Sequence, residues 1–239
     1  MGIALGVAVY VGVALANDSA RRAFELSSQL VLGQTTHQLV STGGPLSESI
    51  YHDLRVQGAI LNAAPIIEGE LRLASRPERR FTLLGVDPFE ESGFRSAVRP
   101  IPGQNLNLTA LIVEPASVLV PESLASELEL KEGSVLNVIV KDRTASVKVV
   151  GTLRDVGLDT NGSSGFILAD ISTTQELLKL EGSISRIDLI LTPTEAETLQ
   201  SLKPTGTTLL PATSSNASFN ELTRAFRVNL TALSLLALM

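Results

Sequence analysis

The sequence contains no cysteine in 239 residues, which rules out disulfides and thiolate metal sites and leaves the redox compartment open. It contains only two histidines, His37 and His52, too far apart for the i, i+4 spacing of a helical metal pair. A metal site or a catalytic triad would therefore need distant partners brought in by the fold, and both histidines read as structural or surface residues. No strand-to-helix Gly-x-Gly-x-x-Gly and no Gly-Lys-Ser/Thr phosphate loop occurs; Gly43-Gly44-Pro45 reads as a turn, so the chain by itself binds no nucleotide. Clustered positive charge is also scarce. Arg72 to Arg80 and Arg95 to Arg99 are short, and a net charge of -6 with a pI near 5.0 argues against nucleic acid as a partner. The carboxylate pairs Glu68/Glu70 and Glu90/Glu91 could serve as acid and base, but they read more simply as solvated faces.

A single apolar run long enough to cross a bilayer is missing too, since about 20 residues are needed. Two shorter ones stand at the ends. Met1 to Ala16 and Val228 to Met239 carry no charged residue. Three readings are open: two truncated transmembrane helices, a signal peptide at the start, or buried core helices. The start lacks a basic n-region and runs without a turn signal into Asp18-Ser19-Ala20-Arg21-Arg22, which weighs against a signal peptide. Having such a run at both termini favours the membrane. Asp18 to Leu32 continues with a helical stripe, and Ser218 to Glu221 forms a capping box whose stripe of Phe219, Leu222, Phe226 and Leu230 leads into the terminal run. Two helical stalks lying side by side are expected.

What is plentiful is core-forming sequence: 44% of residues are hydrophobic and 18% charged, enough to bury one large domain or two small ones. Strands are expected at His37 to Ser41, Arg80 to Val86, Ser117 to Val120, Phe166 to Ala169 and Arg186 to Leu191. One broken strand or two are expected over Ile60 to Ala74, around Pro65 and Gly69. Helices are expected at Ser47 to Gln57 with Ile50 and Leu54 inward, after Pro121 with Leu124, Ala125 and Leu128, and after two capping boxes. These are Ser172 to Gln175 and Thr192 to Glu195, the second helix placing Leu199 and Leu202 inside. Val135 to Lys141 and Ala145 to Leu153 alternate across Asp142-Arg143-Thr144 as a hairpin, and Asp155 to Gly165 reads as an exposed, mobile loop.

The fold class expected is α+β: a two-lobed domain on two helical stalks that continue into truncated transmembrane helices. Residues 1–32 would form the end of the first transmembrane helix and its stalk. Residues 33–87 and 185–215 would form a membrane-proximal α+β lobe, 88–184 an inserted β-rich lobe, and 216–239 the second stalk with the start of the next transmembrane helix.

Val113 to Asp155 (VEPASVLVPESLASELELKEGSVLNVIVKDRTASVKVVGTLRD) combines a strand, a helix, Lys-x-Gly, a hairpin and Val-Val-Gly-x-Leu. In this it resembles the extracytoplasmic core domain of MacB/FtsX-type ABC transporter permeases, and Phe81 to Phe89 and Phe166 to Leu191 resemble that domain's other segments. The resemblance implies a non-catalytic subunit with no cofactor, in the bacterial cytoplasmic membrane with this domain in the periplasm. Implied partners are a separate cytoplasmic ABC ATPase, membrane lipid, a second permease copy, and an extracytoplasmic adaptor or cargo. Motion driven by ATP would pass through the stalks by mechanotransmission, with Phe24, Val31, Phe219, Leu222 and Phe226 as the stalk-coupling residues. The basic residues Arg21, Arg22, Arg224 and Arg227 flank the apolar runs on the domain side and leave orientation undecided from charge alone. A permease-like module that does no transport and activates an envelope enzyme, such as a peptidoglycan hydrolase, is the alternative. A soluble hydrolase would need a catalytic constellation that the residues do not offer.

Overall fold

The computed structural model describes residues 12, 15, 33–56, 60–94, 108–153, 165–202 and 204–212. The stalk and terminal apolar segments, except Gly12 and Leu15, lie outside the described residues, as does the 155–165 loop up to Gly165. Among the described residues no helix is long and apolar enough to cross a membrane.

Nine strands form one sheet in the order β11-β1-β10-β3-β4-β8-β5-β7-β6. Its first region contains β1 (His37–Ser41), α1 (Glu48–Val56), β3 (Ala63–Leu73), β10 (Arg186–Leu189), α6 (Pro193–Leu202) and β11 (Thr207–Pro211). The pairs β11–β1, β1–β10 and β10–β3 are all antiparallel. With α1 linking β1 to β3 and α6 linking β10 to β11, this is a ferredoxin-like β-α-β-β-α-β unit whose two middle strands are separated by a long insertion. Leu54 of α1 and Leu199 of α6 are buried in the same core as Leu39, Ile187 and Leu189, so both helices cover one face of this open sheet. A short ribbon of β2 (Leu46–Ser47) and β9 (Ser183–Ile184) flanks it.

The second region contains β4 (Arg76–Val86), β5 (Ser117–Pro121), β6 (Val135–Val140), β7 (Arg143–Leu153) and β8 (Phe166–Asp170). Strand β3 turns into β4, β4 pairs in parallel with β8, and β6 returns to pair Ile139 and Val138 with Arg72 and Leu73 at the far end of β3. That return closes β3-β4-β8-β5-β7-β6 into a six-stranded barrel. Helices α2 (Pro88–Phe94), α3 (Leu108–Val113), α4 (Glu122–Glu127) and α5 (Ile171–Leu178) pack around it. Val118, Val138, Val147 and Ile167 belong to the same continuous core as the helical face of the first region. A second core on the opposite face gathers Ile66, Leu84 and Val86 beneath Leu111 of α3. All five residues of β5 are buried, as a strand packed on both faces must be.

Several expectations hold closely. β1 has the expected bounds, and the Thr192–Glu195 capping box caps α6: the Glu195 carboxylate accepts from Thr192 N–H at 2.8 Å. Others need correction. Ala63–Leu73 is one unbroken strand despite Pro65. Ile66 O accepts from Ser185 N–H on one side of β3, so Pro65, its neighbour, turns its missing donor to the other side. The β3–β4 ladder begins there only at Ile66, and no bond is lost. The hairpin turn is Lys141-Asp142, with φ of 46° and 63°, the geometry of a two-residue type I′ turn, rather than Asp142 to Thr144. The cap of α5 is Asp170, accepting from Ser172 and Thr173 N–H, rather than Ser172. Leu202 is exposed, not inside, and Glu91, expected on a solvated face, is fully buried.

Candidate functional site

The feature with the clearest functional meaning is the place where the described chain enters and leaves its sheet. His37, the first residue of β1, is the register partner of Pro211, the last residue of β11. Directly opposed residues in an antiparallel pair lie about 5 Å apart, so residues preceding 37 and following 211 leave the sheet side by side.

Thr36 binds this junction together. Its N–H donates to Leu189 O at 2.9 Å and its carbonyl accepts from Ala212 N–H at 2.9 Å. Its hydroxyl donates to Leu189 O at 3.1 Å and accepts from Leu191 N–H at 2.8 Å, with His37 Nδ1 3.0 Å away. One residue thus joins the incoming segment, the outgoing segment and the link from β10 to α6. Gln34 N–H donates to Phe94 O at 2.8 Å, which attaches the incoming segment to the end of α2. Arg55 at the end of α1 pairs with Glu90 of α2 at 2.8 Å and donates to Leu61 O at 2.5 Å. The hydrogen bond to Glu90 is the main cause that raises the Arg55 pKa, while burial raises that of Tyr51 beside it.

A cleft of about 440 Å³ lies between α1 and α6, floored by Leu54, Ile60 and Leu199, with Asp53 and Glu195 at its rim. It is poorly suited to acid–base chemistry. The Glu195 carboxylate is occupied by the Thr192 backbone and hydroxyl, and the backbone bond is the main cause that lowers its pKa. A proton-abstracting base needs a pKa tuned upward toward neutrality.

The residues singled out in the sequence are scattered. His37 faces the junction, whereas His52 is exposed on α1. Glu70 pairs with Arg80 at 3.2 Å, Glu68 with Arg186, and Glu90 with Arg55, so none of these carboxylates stands ready as a paired acid and base. Among the described residues no group of three or more His, Cys, Asp or Glu is placed to hold a metal ion. Phe24, Val31, Phe219, Leu222 and Phe226 lie outside the described residues. Thr36 was missed because its partners are more than 150 residues away in sequence, with no local pattern to mark them.

Over the whole of its length the chain is 37% identical to the uncharacterized ABC transporter permease protein Rv0987 of Mycobacterium tuberculosis, and it spans 28% of that relative. The extracellular domain of the noncanonic ABC-type transporter YknZ from Gram-positive bacteria shares the fold. That structure superposes with a TM-score of 0.50 at 11% identity, over 74% of this chain and all of the other. The periplasmic region of MacB from Actinobacillus actinomycetemcomitans superposes with a TM-score of 0.48 at 16% identity, over 79% of this chain and 94% of its own. Residues 1–203 match the family described as the MacB-like periplasmic core domain, and the chain belongs to that family.

Proposed function

We propose that this chain is the extracytoplasmic domain of an ABC transporter permease, a non-catalytic part that receives motion from a cytoplasmic ATPase and passes it to cargo or to a partner outside the membrane. The observation that carries the reading is the register pairing of His37 with Pro211: both chain ends leave from one point of the sheet, as two adjacent membrane-anchored stalks require. A rigid-body shift of two adjacent helices would then act on β1 and β11 together, and through them on the whole sheet. In this reading the ferredoxin-like unit is the membrane-proximal lobe and the barrel the distal one; the expected boundary at 87/88 moves, because β4 (Arg76–Val86) belongs to the barrel. Lipid and a second permease copy would surround the anchors.

The test is protease access to the full-length protein in intact spheroplasts, with a cleavable tag in the 155–165 loop. Cleavage from outside is expected. Protection until the membrane is lysed would sink the extracytoplasmic placement. Coupling is read separately, by hydrogen exchange at Thr36, Leu191 and Ala212 with the ATPase trapped by a non-hydrolysable nucleotide. Protection that differs between nucleotide-bound and nucleotide-free complexes supports transmitted motion, and identical protection counts against it.

A further inference from the structure

A polar chain, buried at Gln38 and Asp188 and open to solvent at Glu68, crosses the sheet at the seam between its two regions. Gln38 of β1 donates from Nε2 to Asp188 Oδ1 of β10 at 3.0 Å, and Arg186 Nε donates to the same oxygen at 2.8 Å. Arg186 Nη1 then pairs with Glu68 of β3, whose backbone N–H is met by Ser185 Oγ at 2.8 Å. Asp188 is fully buried and the Arg186 side chain only 11% exposed. Burial opposes the Arg186 charge, but Asp188 and Glu68 outweigh it and hold its pKa above the ordinary arginine value. All these residues lie on the face opposite α1 and α6, because Leu39 and Ile187, their alternating neighbours, point into the helix-covered core.

The position of the chain matters as much as its chemistry. Along one edge of β3, β10 pairs as far as Ile66 and β6 begins only at Arg72. The residues between, with Gly69 at their centre, have no strand partner on that edge among the described residues, so the described backbone ladder is interrupted where the open unit gives way to the barrel. Glu68 stands in that gap, held by Arg186 and Ser185. Arg186 and Asp188 are the buried ion pair of this cluster, and a buried ion pair is no better for net stability than apolar side chains of the same volume, because desolvation offsets the attraction. What it does supply is directional: a planar guanidinium bridging two carboxylates tolerates little change in their relative placement.

We propose that Arg186 is a positioning residue: with Gln38, Asp188 and Glu68 it fixes the angle between the open unit and the barrel, so that displacement of the chain ends reaches the barrel. Without it, bending at the unpaired stretch of β3 would absorb that displacement. The transmission half of this inference rests on the permease reading; the angle-fixing half does not.

The test uses the full-length permease with its ATPase in nanodiscs, spin-labelled through Gly43→Cys in the open unit and Lys131→Cys in the barrel, both exposed positions. Distances are compared between wild type, a variant with the cluster made apolar (Gln38→Leu, Glu68→Met, Arg186→Met, Asp188→Leu), and Arg186→Lys. The apolar variant is expected to melt no lower than wild type, to give a distance distribution about twice as wide, and to lose any nucleotide-dependent shift of the mean. Arg186→Lys, which keeps the charge but not the fork, is expected to fall between. A wild-type width in both variants would overturn the inference. A wild-type mean that ignores nucleotide, with the widths still separating, would instead remove the transmission reading and leave the angle-fixing role standing. If the apolar variant does not fold, the width of Arg186→Lys decides alone.

Discussion

The open unit and the barrel share β3 but hold themselves together by different means. The open unit relies on polar ties at its margins: the Thr36 hub, the Arg55–Glu90 pair, the Thr192–Glu195 cap and the Arg186 cluster. The barrel carries ion pairs at its surface, Arg72–Asp142, Arg79–Glu127 and Lys148–Glu114 among them, but its centre is dry packing. Helix α5 sits so close to β3 and β4 that a Cβ on Gly69 would stand 2.7 Å from Leu178 Cδ1, and one on Gly85 would stand 2.6 Å from Thr174 Cβ. Directional bonds specify where elements sit while each contributes little net energy, whereas close packing contributes most of the energy.

The largest effect should come from the packed side. Leu178→Ala removes a fully packed side chain over Gly69 and is expected to lose about 2–5 kcal/mol in urea unfolding. Gly69→Ala alone should lose about 1–3 kcal/mol by overpacking. In the Leu178→Ala background the same alanine enters vacated space, so the two losses should fall short of their sum. Strict additivity would show that Gly69 and Leu178 do not share this contact and would weaken the contrast at its stronger end.

Thr36→Val tests the polar side. It keeps the shape but leaves Leu191 N–H, at a buried residue, without its acceptor, for an expected loss of about 1–3 kcal/mol. Exchange should rise first at the Leu191 and Ala212 amides while the barrel strands stay protected, and Thr36→Ser should restore most of it. A loss spread evenly over the barrel would mean that the two regions are one cooperative unit and that the junction is no separate module.

How much of this division could be read in the sequence depends on the range of the interactions. Local chemistry was legible: β1, the α6 capping box and the Pro121 boundary between β5 and α4 all follow from neighbours within a few residues. The turn at Lys141-Asp142 was misplaced because neither residue is glycine, and Asp142 is held instead by Arg72 at 2.9 Å. Pro65 looked like a break because its harmless orientation is set by β4, which ends opposite Ile66. The pairing of β1 with β11 and the Arg186 cluster join residues some 150 positions apart, and only the tertiary fold brings them together. The junction of β1 with β11 was therefore the least legible part, while the family resemblance rested on the more local pattern of the barrel segments.

The smallest effect concerns acid. Each region has an exposed carboxylate held below the ordinary glutamate value of 4.5: Glu195 chiefly by the Thr192 backbone in the open unit, Glu127 chiefly by the Arg79 side chain on the barrel. A carboxylate with a depressed folded pKa contributes stability that is fully present above its unfolded pKa and is lost as pH falls through the folded one. Both contributions should therefore be fully present at neutral pH and be lost as pH falls below the normal glutamate range. Glu195→Gln should flatten the acid-induced rise in exchange at the α6 amides without altering the barrel. Glu127→Gln should do the reverse, at β4 and α4, where Arg76 and Arg79 converge on that carboxylate. If either substitution changed the acid response of both regions alike, the seam at β3 would not separate them.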